Sequence, residues 1–186
     1  VPTYFERLAE EGVSSAVVSP ARFAGSGLTG AALRGARHVP ADTLEQRVSA
    51  ALRELRAGTP VVYLYWSEID HSGHAHGVAS DAWIGQVEQF DAGLAMLMRG
   101  LPSGVRVVLT ADHGMINVEP DRIIDVASTP VLREGVRIVA GETRAAHVHA
   151  EEGRADEVEE RWRETLGESA WVLSRAQMPE LIGEGS

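Results

Sequence analysis

Short apolar, β-branched runs alternate along the chain with segments that repeat apolar residues every three or four positions. This alternation constrains the fold more than any other feature. A brief apolar run bounded by turn residues reads as a buried strand, and an amphipathic segment after it reads as a covering helix. Repeated in series, the two give an α/β fold with a largely parallel sheet covered on both faces. The strand runs are Val13–Ser19, Pro60–Trp66, Val105–Thr110, Val136–Ala140, Ala145–Ala150 and Ala170–Leu173. The first helix opens at Thr3-Tyr4-Phe5-Glu6, which has the form of a capping box, and stops at Gly12. Asp42 caps a second helix to about Ala57, with Leu44, Val48, Leu52 and Leu55 on one side. Ser80 or Asp81 starts a long helix with an apolar face from Trp83 to Leu97, and Gly100 lies just past its end. Ala155–Leu166 forms another helix, and a short helical tail begins near Arg175. Pro20–Pro40 and the polar, His-rich Ser67–Ser80 read as loops. No linker or repeat divides the chain, so residues 1–186 are expected to form a single α/β domain.

Composition narrows what such a fold can do. With 186 residues, 44% of them hydrophobic, the chain can bury a sizeable core and is not globally disordered. A formal net charge of -10 gives no basic face for duplex nucleic acid. No run approaches the roughly 20 apolar residues of a membrane span. Cys is absent, which excludes disulfides, Cys nucleophiles and thiolate metal sites. A transition metal would therefore need His and carboxylate ligands. The lack of Cys and of a visible leader sets a cytoplasmic location as the expectation.

In open α/β sheets, ligands collect at the carboxyl ends of strands. Two of these ends carry metal-binding residue types. Asp70, His71, Ser72, Gly73, His74 and His76 follow the run that ends at Trp66, and Asp112 and His113 follow the run that ends at Thr110. A parallel sheet would bring the two loops together, so Asp70, His74, Asp112 and His113 can converge. Oxygen and imidazole donors suit Zn, Mn or Fe better than Ca or Mg. The alternative is a set of solvated loop residues, and His71 and His76 are read as solvated or as supporting neighbours of the ligands. Met115 is read as a packing residue beneath its loop.

Asp70-x-x-Gly73-His74 and Thr110-Ala111-Asp112-His113-Gly114-Met115 resemble the two signatures of the type I phosphodiesterase/nucleotide pyrophosphatase family, in the family's order and with a helix between them. The resemblance runs from about Pro2 to Trp171. It implies the three-layer α/β/α sandwich of the alkaline phosphatase superfamily and two divalent metal ions, with zinc first in expectation. Asp70 and His74 would ligate one ion, and Asp112 and His113 the other. His147 is the expected third ligand of the first ion, with His149 as its rival on the same strand face and two plain surface histidines as the alternative. The implied activity is hydrolysis of a phosphate-ester small molecule, such as a nucleotide.

The family's Thr or Ser nucleophile precedes the matched region, and neither Thr3 nor Thr29 fits that place. The chain is therefore expected to be the carboxyl-terminal part of a larger catalytic domain, incomplete at its amino-terminal side. The open sheet edge this leaves would invite homodimerisation. Alternative functions are a catalytically inert metal-binding or interaction module, and the phosphomutase and sulfatase branches of the superfamily.

Overall fold

The computed structural model describes residues 1–183 and divides the chain into two compact units, Val1–Asn117 and Val118–Ser186.

In the first unit, three parallel strands form a sheet. Helix α1 (Tyr4–Glu10) starts at the expected capping box, in which Thr3 Oγ1 accepts from the Glu6 N–H and Glu6 accepts from the Thr3 N–H. Strand β1 (Ser15–Ser19) is buried along its whole length, as a central strand must be. It pairs with β2 (Arg37–Pro40) on one side and β3 (Val61–Leu64) on the other. The register places Val18 beside Val39 and Leu64, on one face of the sheet. That face packs on Ala50 and Ala51 of α3 (Leu44–Arg56) and on Leu97 of α5 (Asp81–Gly100). Val17 and Tyr63 point the other way, and Tyr63 meets the ring of Phe5 from α1 edge to face at 6.2 Å. Helices thus cover both faces of a parallel sheet, as the strand and helix alternation requires.

The second unit is built differently. Strands β4 (Val136–Glu142) and β5 (Ala145–Ala150) form an antiparallel hairpin. Its inner face packs with α6 (Pro130–Arg133) and α7 (Ala155–Leu166) around Leu132, Val158 and Trp162. Trp162 Nε1 donates to the Leu132 carbonyl at 2.9 Å, so the indole is buried without an orphaned donor. The acidic stretch at the start of α7 is an ion-paired outer face. Arg154, then Arg161, holds the Glu157 carboxyl down at about 2. Helix α8 (Met178–Ile182) closes the described chain.

The structure corrects several sequence expectations. Pro20–Pro40 is not one loop: it holds helix α2 (Gly27–Ala32), capped by Ser26, and the edge strand β2. The strand run is short and includes His38 and Pro40, so no alternating pattern marks it. Thr43, not Asp42, caps α3, because Gln46 stands three residues on and completes a capping box. Asp42 instead accepts the Ala21 N–H at 2.9 Å. Ser67–Ser80 contains a helix, α4 (Glu68–His76). Its buried residues are the small Ser72 and Gly73, so it shows no apolar period. Glu68 and Asp70 in its first turn and His74 and His76 in its last suit the helix dipole. The long helix runs through Gly100 instead of stopping before it.

Val105–Thr110 and Ala170–Leu173 are extended but not strands. A strand exists only through pairing, and neither segment finds a partner strand among the described residues. Val108 and Leu109 are consequently exposed, Val108 to 83%. Trp171, at 88%, is exposed for the same reason.

Candidate metal centre

Helix α4 presents Asp70, Gly73 and His74 along one side, at the spacing that stacks side chains on a helix face, and Gly77 caps its end. Asp70 and His74 meet there, with His74 Nε2 3.3 Å from Asp70 Oδ1. The segment from Ala111 to Asn117 lies against the same side. Met115 seats its thioether on Gly73, and a Cβ at that position would collide with the Met115 sulfur and come within 3.3 Å of Trp83. Asn117 clamps the far end: its Oδ1 accepts the Val78 N–H at 2.7 Å and its Nδ2 donates to the Val78 carbonyl at 3.0 Å. The glycine of Asp-x-x-Gly-His thus lets a sulfur in close enough to hold the second signature segment against α4.

That docking carries Asp112 and His113 to Asp70. His113 Nε2 lies 3.8 Å from Asp70 Oδ1 and 3.9 Å from Asp112 Oδ1. One imidazole nitrogen therefore faces both carboxylates. The other nitrogen, Nδ1, is 2.8 Å from the Gly114 carbonyl, which accepts from it. This bond selects the tautomer whose Nε2 lone pair points at the carboxylates. The Gly114 carbonyl, followed by the charges of Asp112 and Asp70, raises the His113 pKa above its ordinary 6.5. All four side chains reach solvent.

Sequence reasoning therefore named four residues that the fold brings together, although the strand expected to deliver two of them is an unpaired extended segment. His147 lies on β5 in the second unit. It shares an exposed hairpin face with His149, because the register pairs His147 with Ala140 and His149 with Ile138. His71 and His76 are exposed on α4. Among the described residues, no three His or carboxylate groups are gathered around one point as a finished metal site. The donor set still fits divalent ions: two carboxylates and two imidazoles stand together, one imidazole with its tautomer fixed for ligation.

A profile of the type I phosphodiesterase / nucleotide pyrophosphatase family matches residues 4–183. The chain belongs to that family. It is 30% identical over 96 residues to bis(5'-adenosyl)-triphosphatase ENPP4 of Bos taurus, a match covering 47% of this chain and 21% of that protein. It is 36% identical over 88 residues to the venom phosphodiesterase CdcPDE of Crotalus durissus collilineatus, covering 42% and 11%. Among solved structures it resembles murine ectonucleotide pyrophosphatase/phosphodiesterase 5, an inactive variant in complex with AMP, with a TM-score of 0.68 and 22% identity over 87% of this chain and 44% of that one. The fold is accordingly the alkaline-phosphatase-like α/β fold of the phosphodiesterase family. The matched part of this chain spans only 21% and 11% of the length of these curated relatives.

One buried group at the site went unread in the sequence. Arg47 sits on the inner face of α3, 1% exposed, and pairs with Glu68 at the start of α4. The signal was present: position 47 adjoins Val48 and falls among Leu44, Ala51 and Leu55, where helical period calls for an apolar side chain.

Gly73→Ala favours the helix by about 1 kcal/mol in intrinsic propensity. It should nevertheless weaken divalent-metal binding by about tenfold or more, a cost typical of misplacing a ligand's support. Calorimetric titration with Mn(II), alongside circular dichroism showing an intact helix content, checks it.

Proposed function

We propose that the protein to which this chain belongs hydrolyses phosphate esters of nucleotides, with Asp70, His74, Asp112 and His113 as ligands of two divalent metal ions. The observation that carries this reading is the meeting of the two family signatures, in which Asp70 lies within 4 Å of both His74 and His113. The nucleotide class is favoured by the relatives: one is named for cleaving a bis-adenosyl triphosphate, and the structural neighbour holds AMP.

Asp70 with His74, and Asp112 with His113, would each hold one ion. Zinc is the proposed metal, ahead of manganese and iron, because imidazole makes up half of the donor set. Bound divalent ions would supply positive charge to the phosphoryl oxygens and to the entering and leaving oxygens. The chain's own residues do the positioning. Gly114 orients His113, Asp70 and Asp112 contribute compensating negative charge, and Met115 and Asn117 keep the second ligand loop against α4. The attacking Thr or Ser hydroxyl is proposed to come from a segment other than residues 1–186.

The test is hydrolysis of bis-p-nitrophenyl phosphate and of dinucleoside polyphosphates by the full-length protein, with added Zn or Mn and with chelator. Metal-dependent release of nitrophenolate or nucleoside monophosphate is expected. Turnover that chelation does not touch, or that survives Asp112→Ala with His113→Ala, would refute the assignment.

Acid should weaken metal binding early. Ligation needs a neutral imidazole, and the Gly114 carbonyl with the Asp112 and Asp70 charges raises the His113 pKa. Affinity is therefore full only above the raised pKa and falls as pH drops through it, beginning above the ordinary value of about 6.5. Mn(II) titrations across pH would show this. A decline beginning only well below that value contradicts it.

The expected homodimer is proposed to form through an exposed edge of the parallel sheet, whose outer strands β2 and β3 each pair only with β1 among the described residues. Light scattering after size exclusion should then give twice the chain mass, and a clean monomer counts against it.

A further inference from the structure

A buried arginine is costly unless every charge and donor around it is answered. The Arg47 guanidinium is answered almost entirely by one short turn. It pairs with both Glu68 oxygens, at 3.1 and 2.5 Å. It donates to the Tyr65 carbonyl at 3.2 Å and lies 4.3 Å over the Trp66 ring. Its remaining bond, at 2.7 Å, goes to the Asp42 carbonyl just before α3. Glu68 in turn accepts the Ser67 N–H at 2.9 Å. Residues 65–68 form the turn from β3 into α4, and Asp70 stands in the first turn of that helix.

We propose that Arg47 and Glu68 are positioning residues for the metal centre: the pair, buried on its arginine side, fixes the angle at which α4 leaves β3, and so places Asp70 and His74 opposite Asp112 and His113. This rests on the metal-binding reading given above. The sequence of causes is short. A guanidinium anchored inside α3 has one geometry, because burial and its fork of donors remove its freedom. Glu68 is held at both oxygens, so the first turn of α4 cannot rotate about its axis without breaking an ion pair whose guanidinium is buried. Asp70 lies two residues on, where a modest rotation would carry its carboxylate away from His113. Packing alone does not account for the arrangement. Buried ion pairs are often replaced by apolar residues with no loss of stability, and Arg47 Nε has no hydrogen-bond partner among the described residues. The charge makes sense by what it holds.

The experiment titrates the full-length protein with Mn(II) alone and follows amide hydrogen exchange of α4 without metal, in Arg47→Met, Glu68→Gln and Val48→Ala. Val48 is buried on the same face of α3 and touches none of the turn bonds described, so its variant measures general loosening. Arg47→Met and Glu68→Gln should weaken Mn(II) binding by about tenfold or more, in the range of outer-shell partners, and speed exchange in α4. Val48→Ala should destabilise the fold and leave Mn(II) affinity as it was. If Arg47→Met does not fold, Glu68→Gln carries the comparison. Folded variants with unchanged affinity and unchanged α4 exchange would overturn the proposal, as would an equal loss of affinity in Val48→Ala. If the unaltered protein binds no Mn(II), the metal reading fails, and α4 exchange alone then decides whether the pair fixes the helix.

Discussion

Asp70→Ala should lower kcat/KM for a phosphodiester by at least about 10³-fold, beyond the 10- to 100-fold that loss of an outer-shell partner brings. The carboxylate occupies a shared position. His74 reaches it from the same helix, and His113 reaches it from the other ligand loop. Its removal takes a donor from the centre and leaves two imidazoles that repel when protonated. The double replacement Asp112→Ala with His113→Ala should be at least as damaging. His71→Ala is the control. It is on the same helix, exposed, and outside the set of close contacts, so activity should stay within about twofold, as expected for a surface change. Steady-state kinetics on the full-length protein with Zn or Mn supply the comparison. The loss should appear in metal affinity as well, so saturating metal should recover part of the rate.

Trp162→Ala should cost the Val118–Ser186 unit about 3–5 kcal/mol, the usual range for emptying a large aromatic site. The indole is buried against Leu132 and Val158, and Val139, Val148 and Leu166 pack around them. It also donates to the Leu132 carbonyl, so the variant leaves both a cavity and an unanswered acceptor. Trp162→Phe keeps much of the ring and loses the donor, and should cost about 1–3 kcal/mol. Urea unfolding followed by far-ultraviolet circular dichroism measures both. A Trp162→Ala variant as stable as the parent would mean that this core is not what holds the hairpin to α7.

The sequence was most legible where one local rule acts alone. The capping box at Thr3, the buried run at β1, the Ser80 cap and the limits of Ala155–Leu166 all follow from neighbours within a few residues, and the structure has them in place. It was least legible where partners decide. The segment from Val105 to Thr110 has every local property of a strand, and it is unpaired because pairing is not a local property. Strand β2 shows the converse, since an unpromising stretch becomes a strand through its neighbour β1. Helix α4 escaped notice because it packs through serine and glycine, which leave no apolar stripe. The ligand set was readable because the motifs are short and their order is informative. The pieces that place the ligands were not, since Met115 on Gly73, Asn117 on Val78 and Arg47 on Glu68 join residues far apart in the chain. Of these, only Met115 was anticipated as packing, and Arg47 was visible only as a charge out of place on an apolar face.

If the two signature segments deliver acid and imidazole groups to bound cations, anomalous X-ray diffraction from crystals of the full-length protein grown with manganese or zinc should show two ions, one touching Asp70 and His74 and the other Asp112 and His113. Ions bound elsewhere, with these four side chains turned to water, would contradict it.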